Sequence, residues 1–91
     1  MQIPTSKQLN MIIHLIEQSE SKTVAEIYRR VPSHNSKYKH ALADFRRIIL
    51  QERIEKNATR WQADHIIRLL MNQYSRSPKK LVDIFHTLKL I

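Results

Sequence analysis

Ninety-one residues suffice for one domain with a single core, and an apolar content of 42% suits a globular chain rather than a disordered tail. The chain has no cysteine, which excludes a disulfide framework, a thiolate nucleophile and a zinc finger; it has no glycine, which excludes a P-loop and a Gly-rich dinucleotide-binding turn. Sixteen Lys/Arg against eight Asp/Glu give a net charge of +8, a surplus that suits a polyanionic partner.

The charge is unevenly spread. Residues 1–20 carry Lys7, Glu17 and Glu20, a net of −1. Residues 21–60 carry ten basic and four acidic groups, a net of +6, and residues 61–91 carry five and two, a net of +3. The opening "MQIPTSKQLNMIIHLIEQ" lacks the basic and apolar regions of a signal peptide, and no apolar run approaches the ~18 residues of a membrane span. A cytoplasmic location is therefore expected, nucleoid-associated or nuclear according to the source.

Five helical stretches follow in order. "TSKQLNMIIHLIEQS" opens with Thr5 or Ser6 as N-cap and repeats Leu9, Ile12, Ile13 and Ile16 at helical spacing. In "TVAEIYRRV", Thr23 and Glu26 have the spacing of a capping box, Val24, Ile27, Tyr28 and Val31 form the apolar face, and Pro32 stops the helix. The turn "PSHN" leads to "SKYKHALADFRRIIL", where Tyr38, Leu42, Phe45 and Ile49 share a stripe flanked by Ala41 and Ile48. Asp64 is expected to cap "HIIRLLMNQY". Ser77 and Pro78 start "PKKLVDIFHTLKLI", with Leu81, Ile84, Phe85, Leu88 and Ile91 on one side.

Between the third and fourth stretches lies "RIEKNATRW". Continued past Leu50, the helical stripe would need apolar residues near positions 52 and 56, where Glu52 and Lys56 stand. Folded as a hairpin about Asn57-Ala58, the same segment pairs Lys56 with Thr59, Glu55 with Arg60, and Ile54 with Trp61. One register thus yields an opposite-charge pair and an apolar pair. A strand–turn–strand is the expectation, with Trp61 closing it onto the core.

This order of elements resembles the winged helix-turn-helix superfamily. The segment "TVAEI…LADFRRIILQERIEKNATRW" is similar to that group's T-x-x-E-I second helix and its L-x-x-L…I-E passage into the wing, over residues 6–63. The wing lacks glycine, and no strand is readable between the first two helices. The resemblance implies a mainly α fold, three helices plus a short β-hairpin wing, with two additional C-terminal helices. Within the single domain expected over 1–91, the resembling core is 6–63, and 64–91 is a helical extension and candidate dimerisation element. It further implies a third helix that enters the DNA major groove.

The third stretch supports the same partner on chemical grounds. Opposite its apolar stripe it carries small and cationic side chains. Lys37, His40, Ala43 and Arg47 are the expected base contacts, because Lys and Arg reach guanine acceptors and alanine admits a thymine methyl. Lys22, Ser33, Asn35, Ser36, Lys39, Arg46, Lys56 and Arg60 are the expected backbone contacts. His14, His65 and His86 stand singly among apolar residues and read as packing side chains. No HExxH and no nucleophile coupled to a base is present, so neither an enzyme nor a cofactor, metal or small-molecule substrate is indicated.

The expected function is sequence-specific binding of double-stranded DNA, as a small regulator of transcription or replication. The competing expectation is a helical adaptor or inhibitor that docks on an acidic protein surface. The apolar surplus of residues 64–91 suggests either a homodimer or a cover for the first helix, through Ile66, Leu70, Phe85 and Leu88.

Overall fold

Thr5 begins the first helix by a reciprocal exchange: its Oγ1 accepts from the Gln8 amide at 3.1 Å, and its own amide donates to Gln8 Oε1 at 3.0 Å. The computed structural model describes residues 2–33, 45–71 and 79–91. These form helices α1 (Ser6–Gln18), α2 (Lys22–Arg30), α3 (Arg46–Asn57), α4 (Arg60–Met71) and α5 (Lys79–Thr87).

α1 is the organising element. It buries Leu9, Ile12, Ile13 and Ile16 and packs most extensively on α4, then on α3 and α2, while α5 packs on α4. α2 is capped by Ser21, whose Oγ accepts from the Val24 amide at 3.4 Å, two residues before the expected Thr23. Val31 ends it in an extended conformation, as the residue before a proline must.

The mainly α expectation holds, but the wing does not: no strand occurs among the described residues. The segment expected to reverse at Asn57-Ala58 is the end of α3, a short break at Ala58-Thr59, and the start of α4. A type I′ turn needs positive φ at both central residues. Asn57 is helical, Ala58 is extended with φ −112° and ψ 151°, and Lys89 alone among the described non-glycine residues has positive φ. The pairs Glu55–Arg60, Ile54–Trp61 and Lys56–Thr59 therefore do not form. Ile54 is fully buried, whereas Trp61 stands in solvent.

Two features explain why the helix runs on. The first is that the side of the helix carrying its buried residues is partly polar. At 100° per residue, Arg46, Arg53 and Asn57 share a side with Ile49, Leu50 and Ile54. Each polar head is satisfied at the end of another element: Arg46 Nε donates to the Val31 carbonyl at 3.2 Å, Arg53 Nη1 to that of Leu90 at 3.3 Å, and Asn57 Nδ2 to that of Leu88 at 2.9 Å. The second is a capping box that opens α4. Thr59 Oγ1 accepts from the Gln62 amide at 3.2 Å, and the Thr59 amide donates to Gln62 Oε1 at 2.8 Å. Thr59, not Asp64, is thus the cap of this helix.

Ile66, Leu70, Phe85 and Leu88 all lie in the common core with α1, α2 and α3. They serve as cover for the first helix and present no free apolar surface. α5 ends with Lys89 in the left-handed region (φ 56°), and the Leu90 amide returns to the Phe85 carbonyl at 2.9 Å. The caps expected at Ser77 and Pro78 lie outside the described residues. No described helix is long and apolar enough to cross a membrane.

Candidate nucleic-acid interface

Arginines converge where α2 runs out and α3 begins. Arg29 and Arg30 occupy the last turn of α2, where cations complement the carbonyl end of the helix. Arg46 and Arg47 are the first two residues of α3. The two helix ends are fastened together: the Phe45 amide donates to the Ser33 carbonyl at 3.0 Å, and Arg46 reaches the Val31 carbonyl while its guanidinium lies 5.5 Å from the centre of the Tyr28 ring. Phe45 itself gives α3 no side-chain cap hydrogen bond.

Two carboxylates reduce that charge. Arg30 pairs with Glu26 at 3.4 Å, and Arg47 Nη2 pairs with Glu17 Oε2 at 2.8 Å. The Glu17 hydrogen bond, then its charge, raises the Arg47 pKa further above the ordinary value. Arg29 is exposed and makes no hydrogen bond or ion pair among the described residues.

Six of the expected DNA contacts, Asn35, Ser36, Lys37, Lys39, His40 and Ala43, lie outside the described residues. The other six do not form one surface. Arg46, Arg47 and Ser33 meet at the arginine corner. Lys22 is at the opposite end of α2. Lys56 is nine residues after Arg47, which sets it half a turn out of phase and about 13 Å along α3. Arg60 is taken up by the start of the chain, its Nε donating to the Ile3 carbonyl at 2.8 Å while its amide donates to that of Gln2 at 3.2 Å. Arg29 and Arg30 were missed as site residues because a basic last turn is what any helix favours; only their proximity to Arg46 makes them a cluster.

The groove between α1 and α3, lined by Leu9, Asn10, Ile48, Glu52 and Glu55 among others, is acidic and suits no polyanion. His14, His65 and His86 are exposed rather than packed. The hydroxyls of Thr5, Ser19, Ser21 and Thr59 each accept from a backbone amide, the geometry of a cap rather than of a nucleophile held by a base. No protein-family model, curated protein or solved structure matches the chain.

Proposed function

We propose that this chain is a non-enzymatic DNA-binding protein that holds the phosphate backbone of a duplex at the α2–α3 corner. The observation that carries the reading is the gathering of Arg29, Arg30, Arg46 and Arg47 at two fastened helix ends, where Glu26 and Glu17 pair with Arg30 and Arg47 among the described residues. Guanidinium forks suit phosphate oxygens bidentately, and a rigid mount lowers the ordering cost of each contact. Arg47, engaged with Glu17, acts in this reading as a phosphate ligand rather than a reader of bases. Sequence preference then falls to Lys37, His40 and Ala43.

The test compares two variants of equal charge. Arg29→Glu with Arg30→Glu reverses two cations at the corner; Lys79→Glu with Lys80→Glu reverses two exposed cations on α5. Binding to a mixed-sequence duplex, followed by fluorescence anisotropy against salt, should fall at least about tenfold for the first and by less than about threefold for the second. Equal losses would reduce the effect to overall charge. Absence of wild-type binding at low salt would end the reading.

A further inference from the structure

We infer that the outer face of α4 is a self-association surface, on which α4 of a second copy lies antiparallel. This does not depend on the proposed DNA contact. α4 buries Ala63, Ile66 and Leu70. On the opposite side it carries Trp61, Asp64, Arg68 and Met71, whose 3-4-3 spacing is that of a helix–helix seam. Trp61 is 83% exposed and Met71 64% exposed. Two large apolar side chains on one solvent-facing stripe, three turns apart, leave a surface that water covers at a cost.

The stripe is symmetric about residue 66. An antiparallel two-fold pairing centred there sets Trp61 against Met71 of the second copy and Asp64 against Arg68 of the second copy, each contact occurring twice. A parallel pairing would instead set Asp64 against Asp64 and Arg68 against Arg68, so charge selects the antiparallel arrangement. Within one chain Asp64 and Arg68 already form a pair at 2.9 Å. Pairing across the two-fold closes these groups into a four-membered network. A surface depression of about 240 Å³ lined by Arg60, Trp61, Asp64 and Arg68 lies where Met71 of the second copy arrives, its thioether against the indole. The alternative occupant is a single-stranded nucleic acid stacked on Trp61 between Arg60 and Arg68. The Asp64 carboxylate in the middle of the stripe repels phosphate and complements a second Arg68, which favours the copy. A seam of three turns makes a small interface, so association belongs in the micromolar range rather than the nanomolar.

Sedimentation equilibrium from micromolar to millimolar protein should show the mass rising toward that of a dimer. Emission of Trp61, the one tryptophan in the chain, should shift to the blue over the same range. Asp64→Arg and Arg68→Asp, each alone, should weaken association at least about tenfold while circular dichroism stays unchanged. Mixed in equal amounts, the two variants should form a heterodimer within about threefold of wild-type affinity, because two acidic side chains of one then face two basic side chains of the other. Loss of the pair within a single chain cannot be repaired by mixing. A wild-type protein that stays monomeric to millimolar concentration would overturn the inference, as would a mixture that fails to associate. Quenching of Trp61 by a single-stranded oligonucleotide, with no self-association, would assign the face to nucleic acid instead.

Discussion

Arg47 Nη2 donates to Glu17 Oε2 at 2.8 Å, joining the first turn of α3 to the end of α1 across thirty residues of chain. An arginine guanidinium is charged at every accessible pH, and Glu17 raises the Arg47 pKa further, so the pair contributes no pH dependence from that side. Glu17→Gln removes the competing carboxylate from the arginine corner. Duplex binding at low salt should tighten by about two- to threefold, with the melting temperature unchanged within error. Weaker binding would mean that Glu17 is needed to hold Arg47 in place.

Ala58→Gly discriminates between the two conformations open to the segment after α3. In a hairpin, glycine at the second turn position would stabilise the protein by relieving positive φ. At the observed site Ala58 is buried and extended, so glycine adds freedom to the unfolded chain and removes a packed methyl. A loss of about 1 kcal/mol in urea unfolding is expected; a gain would contradict the helix–break–helix.

Asn57→Ala deprives the Leu88 carbonyl of its side-chain donor. The expected cost is about 1 kcal/mol. For a domain of this size it appears in calorimetry as a fall in melting temperature of roughly 4–8 °C. Asn57→Asp should cost at least as much, since it replaces the amide donor with an acceptor facing a carbonyl.

Lys89→Gly should act in the opposite direction. Lys89 holds the left-handed position after α5, where a side chain costs about 1–2 kcal/mol, partly offset by the larger entropy glycine loses on folding. A net gain of roughly 0.5 kcal/mol in thermal unfolding is expected. No gain would show that the lysine stem compensates by packing.

Where periodicity was apolar, the sequence was readable: α1 with its Thr5 cap, the stop at Pro32, and the buried Leu81, Phe85 and Leu88. It misled where polar side chains interrupt the apolar side of a helix. Arg53 and Asn57 interrupt the apolar stripe of α3 because they finish the backbone of the C-terminal tail, and no local pattern reveals a partner more than thirty residues away. The competing hairpin register was self-consistent and drew Ile54 and Trp61 into a pair that does not exist. One local signal was present and outweighed: Thr59-x-x-Gln62 has the spacing of a capping box, and it marks the true start of α4. Of the expected contacts, Arg46 and Arg47 come together with Ser33, whereas Lys22, Lys56 and Arg60 disperse, since linear charge density does not encode which helix ends meet.

The three polar heads along α3 close carbonyls 15, 37 and 31 residues distant. The backbone ladder of α3 is local, but the side-chain bonds of Arg53 and Asn57 form only with the last residues of the chain in place. Amide protons in the final turns of α3 should therefore exchange at the same rate as those of the C-terminal tail, because detaching one end releases the other. α3 thereby ties the middle of the chain to its last residues.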